Sequence, residues 1–226
     1  MCGRMTLTEK SLARVAEELA AAVREEDSLL YKPRFNIAPT DPHWLVRLGD
    51  GGRELIPARW TFGRMGGGAQ INARVEGLSL GRRSPLSRAL EAHRCVVPAD
   101  GFYEWTGPKT ARRPMWIHRR DGGLLYLAGL YERGPDGKPQ FVVITTGPNE
   151  TMDGIHDRMP AVLSREQAGQ WLEHPDLDLL VPAPPQLLVV DPVSTRVNDV
   201  KNDDPSCLDK PAAEPPPKAR PQLDLF

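Results

Sequence analysis

His43-Trp44-Leu45-Val46-Arg47-Leu48, Gly49-Asp50-Gly51-Gly52, Arg53-Glu54-Leu55-Ile56-Pro57: two apolar runs flank a glycine-rich turn, and this stretch decides the fold class. Glycine supplies the backbone freedom of a tight reversal, while branched and aromatic side chains suit a pleated surface, so the stretch reads as an antiparallel hairpin. Further along, residues 115–119 and 124–131 give strand signals around Asp121-Gly122-Gly123, a second hairpin of the same kind. Residues 141–146 and 187–190 read as buried strands. Helical signals fall in three places. Leu12, Val15, Ala16, Leu19, Ala20 and Val23 recur at helical spacing, predicting a helix over about residues 8–26 with Thr8 as N-cap. Ser84-Pro85 marks N-cap and first helical position of a second helix, running to about His93. Ser164 with Gln167 forms a capping box that opens a third, to about Glu173. Antiparallel hairpins with segregated helices imply an α+β architecture and not a parallel βαβ one.

With 226 residues the chain can bury a sizeable core, and a single domain over residues 2–207 is expected. An apolar content of 40% with 26% charged residues describes a soluble globular protein, and no apolar run is long enough to span a membrane. The first residues lack the basic region and apolar stretch of a signal peptide, so the cytoplasm is the expected compartment. Cys2, Cys95 and Cys207 are an odd, widely spaced set, which indicates neither a disulfide framework nor a C-x-x-C metal site. No metal or organic cofactor is suggested, and with no apolar patch left over for a dimer, a monomer is expected. Residues 208–221, rich in Pro, Ala and charge, lack a core-forming pattern and read as the start of a disordered tail spanning 208–226. A net charge of −1 argues against coating of duplex DNA by bulk electrostatics and leaves room for a local basic groove. The cations are mostly arginine, which suits bidentate phosphate contacts; genomic base composition would give the same bias.

The chain opens Met1-Cys2-Gly3-Arg4. Aminopeptidase removal of Met1 ahead of a small residue leaves an α-amine and a thiol on Cys2. The amine condenses with an aldehyde to an imine, and the thiol then adds to the imine carbon to close a thiazolidine. An α-amine of pKa about 7.7–8.0 is partly neutral near pH 7, and a thiol is a strong nucleophile even as a minor thiolate fraction. By position alone, Cys2 reads as an unremarkable second residue, and it is the rest of the chain that points to chemistry there.

Four short stretches combine turn formers with polar groups beyond what strands require: Arg34-Phe35-Asn36-Ile37-Ala38-Pro39, Ile71-Asn72-Ala73-Arg74-Val75-Glu76, residues 95–105, and Ile155-His156-Asp157-Arg158-Met159-Pro160. Glu104 stands among aromatics in Gly101-Phe102-Tyr103-Glu104-Trp105. A carboxylate in apolar surroundings is suited to general acid and base work, whereas on a surface strand it would simply be solvated. Histidine as a residue type suits proton transfer near neutral pH and arginine suits a phosphate, which makes His156 and Arg158 candidates, although a lone histidine is commonly structural.

Together these stretches resemble the SOS-response-associated peptidase family, known as the SRAP domain, and the segment from Val193-Ser194 through Val197-Asn198 to Asn202 resembles that family's closing motif. The resemblance runs from Cys2 to about Cys207. It implies an α+β domain that senses abasic sites in single-stranded DNA and crosslinks to them. An abasic deoxyribose equilibrates with an open-chain aldehyde, the electrophile that the amine and thiol of Cys2 would trap. Carried over, Cys2 is the nucleophile, Asn72 orients the ring-opened sugar, Glu104 shuttles protons, and His156 assists proton transfer and reversal. Arg74 and Arg158 hold flanking phosphates, with Arg4, Asn36, Pro39 and Met159 along the strand. Trp60 is a stacking or wall residue, or else a core tryptophan. The sequence after Trp60 departs from the family pattern, with Thr61-Phe62-Gly63-Arg64 and a glycine-rich link to Gln70, which implies a shorter loop beside the DNA channel.

The tail ends Gln222-Leu223-Asp224-Leu225-Phe226, apolar anchors behind a polar lead residue, and resembles the bacterial sliding-clamp-binding peptide. A tether to the replication clamp raises local concentration without new contacts at the lesion; the alternative is that this end folds back on its own domain. Three other readings stay open. N-terminal-nucleophile glutamine amidotransferases also begin with Cys-Gly, and Cys2 could instead serve proteolysis, with Met1 as its nearest target. A non-enzymatic domain could merely bind single strands and recruit the clamp.

Overall fold

The computed structural model describes residues 2–65, 68–108 and 110–212. Its core is divided between two sheets. The first has five strands, in spatial order β15 (Leu188–Pro192), β10 (Arg113–Arg119), β9 (Gly101–Thr106), β1 (Met5–Leu7) and β2 (Arg34–Ile37). The second is built on β3 (Pro42–Gly49), β4 (Gly52–Trp60), β8 (Arg94–Ala99), β11 (Leu125–Arg133) and β12 (Pro139–Thr146). Its order runs β12-β4-β3-β8-β11, and a further pairing of β11 with β12 closes the run on itself like a barrel. The short strands β7 (Asn72–Arg74), β13 (Met159–Pro160) and β14 (Val162–Leu163) attach at its ends. The architecture is α+β, and no helix among the described residues is long and apolar enough to cross a membrane.

The first hairpin is present as read: β3 pairs with β4 from Pro42↔Arg59 to Gly49↔Gly52, and Gly52 takes φ +119°, a value that L side chains rarely adopt. The second is not a hairpin. Its two strands form, but β10 pairs with β9 and β15, whereas β11 pairs with β8, β12 and β14. The turn at Asp121-Gly122-Gly123 therefore carries the chain from one sheet to the other. Burial explains the choice: the first seven residues of β11 are buried, which demands covered faces on both sides, while β10 begins exposed and buries only Pro114 and Ile117. The predicted buried strand near residue 188 lies at a sheet edge, with Leu188 buried but Asp191 and Pro192 exposed.

The predicted helix over residues 8–26 is shorter. α1 spans Leu12–Glu18, with Ser11 as N-cap, because the Thr8 hydroxyl bonds Asp100 instead at 2.6 Å. Ala20, at φ +49°, ends it: its N–H bonds the Glu17 carbonyl and the next N–H reaches back to Ala16, a Schellman closure. A separate turn, α2 (Glu25–Ser28), follows. α3 (Pro85–Ala92) and α4 (Arg165–Glu173) start at Ser84 and Ser164 as read, α4 with both bonds of its capping box.

Two features of the core position the site. Gly101 has no room for a side chain, since an added Cβ would lie 2.1 Å from the Trp116 ring nitrogen. That close packing fixes β9 against β10 and so fixes Glu104. A satellite core of Tyr103, Val193, Val197 and Cys207, with Phe35, Trp105 and Leu208 against it, underlies the closing segment. The chain stays packed to Asp209, whose carbonyl accepts from Ser194, and residues 213–226 with their clamp-like peptide lie outside the described residues.

His43 is wholly buried, with Nε2 2.8 Å from the Pro98 carbonyl, and burial lowers its pKa from 6.5 to about 4. The ring is therefore neutral in the folded state while the unfolded chain takes up a proton below pH 6.5, so stability present above that value is lost as pH falls toward 4. The expected loss is about 3 kcal/mol. Denaturant midpoints between pH 7 and 4 should fall more steeply for the wild type than for His43→Gln.

Candidate functional site

Cys2 lies at the end of the first sheet. β1 runs antiparallel to β9 with Met5 opposite Phe102, and the Tyr103 N–H continues the ladder to the Arg4 carbonyl at 3.0 Å. The residues before Arg4 are thereby laid beside Glu104, which is itself only 4% exposed. The solvated alternative for Glu104 is thus excluded. Cys2 is fully buried, and burial, reinforced by the negative charge of Glu104, pushes its thiol well above the ordinary range. At rest the Cys2 side chain is a neutral thiol.

Asn72 arrives from the other sheet. β7 pairs in parallel with β12, Val143 opposite Asn72, and the Asn72 amide donates to the Cys2 carbonyl at 2.7 Å. Its Oδ1 is buried and has no hydrogen-bond partner among the described residues. β12 also brings in the turn that bears His156, since Thr145 faces Arg74 on one edge and Pro160 on the other. Nδ1 of His156 lies 3.0 Å from the Arg158 N–H and 2.7 Å from an Asp157 carboxylate oxygen. An unprotonated Nδ1 accepts from the amide and a protonated one donates to the carboxylate.

An open groove of about 770 Å³ runs past this end, lined by Gly3, Arg4, Pro39, Trp105, Arg112 and Asn198 among others. Arg4 lies over the Trp105 ring at 5.7 Å, and Trp105 donates to Asn198 at 2.7 Å. Trp105, Arg112 and Asn198 were not assigned from sequence. Trp105 ends the Gly101-Phe102-Tyr103-Glu104-Trp105 motif, on β9, and Asn198 stands in the closing motif, so the signal for both is their place in those motifs.

Several expected strand contacts are placed elsewhere. Trp60 is a core residue, 0% exposed, stacked on Phe141 and bonded to the Ile71 carbonyl, so it cannot stack on a base. Met159 is likewise fully buried, on a strand covered by its neighbours. Asn36 is buried as well: its Oδ1 accepts from Arg4, and its amide donates to the carbonyls of Val197, Asp199 and Asn202. It fastens the closing segment instead of touching a ligand. Arg74 is exposed. Arg158 is 8% exposed and makes a bidentate pair with Glu76, at 2.6 and 2.9 Å, that holds the Glu76 carboxyl below the usual range. After Trp60 the chain forms a small hairpin, Phe62–Met65 with Gly68–Gln70, in place of the loop expected there.

The fold and site define an α+β protein with its core on two sheets, whose second residue, a buried cysteine, ends beside an open groove. The chain belongs to the SOS response associated peptidase (SRAP) family, whose model matches residues 1–200. It is 35% identical to the abasic site processing protein YoqW of Bacillus subtilis, over 92% of this chain and 99% of that one. It is 30% identical to the abasic site processing protein YedK of Escherichia coli, over 89% and 96%. A solved structure from Bacteroides thetaiotaomicron, 20% identical, superposes with a TM-score of 0.76 over 92% of this chain and 99% of that one.

Replacing Asn36 by Leu should remove four hydrogen bonds, one from Arg4 and three to the Val197, Asp199 and Asn202 carbonyls, and cost about 3 kcal/mol. Chemical denaturation should show this loss, and proteolysis should reach residues 194–204 first.

Proposed function

We propose that this protein captures abasic sites in single-stranded DNA by closing a thiazolidine on Cys2 after Met1 is removed. Its relatives YoqW and YedK are named for abasic site processing. The observation that carries the reading to this chain is the fixed constellation of a buried Cys2, an Asn72 bonded to its carbonyl, and a buried Glu104 whose charge reaches its thiol.

The α-amine of Cys2 attacks the carbonyl carbon of the open-chain sugar, and loss of one water gives the imine. The thiol then adds across the C=N bond: sulfur bonds to carbon and the thiol proton ends on nitrogen, so a neutral thiol suffices. Glu104 delivers protons to the departing oxygen and takes them back, and the Asn72 Oδ1 accepts from a sugar hydroxyl. His156 assists proton transfer and reversal. Arg74 and Arg158 take flanking phosphates, while Trp105 offers the groove an aromatic face for a base. Strand cleavage by β-elimination is a side reaction of the imine when ring closure is slow. Such work places the protein in the cytoplasm, on the nucleoid.

On a denaturing gel with an oligonucleotide bearing one abasic site, the processed protein should give a heat-stable shifted band that Cys2→Ala and Cys2→Ser lack. Glu104→Gln should slow its appearance by about 10²-fold. A band persisting in Cys2→Ala would sink the reading, and ammonia release from glutamine would favour an amidotransferase. The peptide Gln222-Leu223-Asp224-Leu225-Phe226 is proposed to bind the sliding clamp. Its deletion should abolish clamp binding and leave crosslinking unchanged; equal clamp affinity with and without it would refute this role.

A further inference from the structure

Arg158 is paired in an unusual way for a residue meant to hold a phosphate. Its guanidinium is almost fully buried, with Nη2 also on the Thr145 carbonyl at 2.5 Å, and its Nε is buried without a hydrogen-bond partner among the described residues. The carboxylate that engages both terminal nitrogens belongs to Glu76, whose side chain is 60% exposed. Glu76 sits on the turn Val75–Gly77, directly after β7, so the strand that supplies Asn72 and Arg74 also supplies this carboxylate. A planar anion with two oxygens on one guanidinium edge is the geometry in which a phosphate would bind.

We propose that Glu76 is an internal phosphate surrogate: it occupies Arg158 in the free protein and must be displaced by a backbone phosphate of the bound strand. This rests on the reading of the groove as a single-strand site. Two features of the pair make exchange feasible. The arginine is held by Thr145 and does not have to move, and the carboxylate, being exposed, is rehydrated when it leaves, which limits the cost of breaking the pair. The consequence is a site that holds undamaged strands weakly, so that the protein samples DNA and is retained only where covalent chemistry follows.

The test is fluorescence anisotropy with a labelled, undamaged oligothymidylate at several salt concentrations. The proteins compared are wild type, Glu76→Gln, Arg158→Gln and the double variant. Glu76→Gln keeps the shape and removes the charge, and should tighten binding by about three- to tenfold at every salt concentration, with the salt slope of the wild type, because the same phosphate rests on Arg158 in both complexes. In the Arg158→Gln background the same change should have little effect, because the carboxylate acts through that arginine. Equal or weaker binding by Glu76→Gln would overturn the proposal and make Glu76 a support for Arg158. Tightening of the same size without Arg158 would overturn it in favour of a general charge effect. Should Arg158→Gln fail to fold, the salt series of Glu76→Gln decides alone: a gain that persists at high salt supports displacement, and a gain that is screened away there counts against the proposal. Wild-type protein that binds no single strand at all would remove the DNA reading itself, and this proposal with it.

Discussion

The buried carboxamide of Asn36 is the constraint on which the groove depends. One side chain accepts from Arg4 and donates to three carbonyls spread over residues 197–202, so a segment with little regular structure is fixed to β2 nearly as firmly as a strand would be. Asp203 completes the fastening, accepting from the Phe35 and Asn36 N–H groups and from Arg34. Because β2 pairs with β1, the same contacts set the position of the chain around Arg4 and therefore of Cys2. The small apolar cluster of Tyr103, Val193, Val197 and Cys207 fills the space beneath. A segment held by bonds to its backbone tolerates changes in its exposed side chains, which leaves Thr195 and Asn198 open to serve the groove.

The site is assembled across the two sheets, and β12 is what permits it. This strand pairs with β4 through Gln140 and Phe141, then exchanges that neighbour for β7 from Val143 onward, while its other edge passes from β11 to β13. A strand that changes both neighbours along its length opens the barrel at one end. The two short strands admitted there carry Asn72 and Arg74 on one side and lead out of the His156 turn on the other. Cys2 and Glu104 come from the first sheet, and the Asn72 bond to the Cys2 carbonyl joins the two halves.

Signals that depend on local chemistry were legible in the sequence. The capping residues Ser84 and Ser164, the β3–β4 turn and the strand Pro139–Thr146 all act over a few residues, and each is found where its sequence indicates. Pairing between strands was less legible: the apparent hairpin around Gly122 fails because the seven buried residues that begin β11 needed cover that β10 could not give. The end of α1 was hidden because alanine, and not glycine, takes the left-handed turn at residue 20. In the site, motif residues were recognisable, but their orientation was not. Trp60 and Trp105 both follow strand patterns. Only tertiary packing turned the first into the core against Phe141 and the second into the groove beside Arg4.

The neutral state of the Cys2 thiol bears on the order of steps in the proposed reaction. A thiolate exposed at rest would be oxidised and would react with any passing electrophile. Burial next to the negative charge of Glu104 keeps the proton on sulfur. The amine must then react first, because a thiol held in this state is a poor attacking group until an electrophilic imine lies beside it. Once the imine has formed, its nitrogen accepts the proton that sulfur gives up, and no base with an unusual affinity is required. The carboxylate that disfavours thiolate at rest is then suited to carry that proton between the two atoms. Suppression of early reaction and assistance to the later one thus come from the same buried charge.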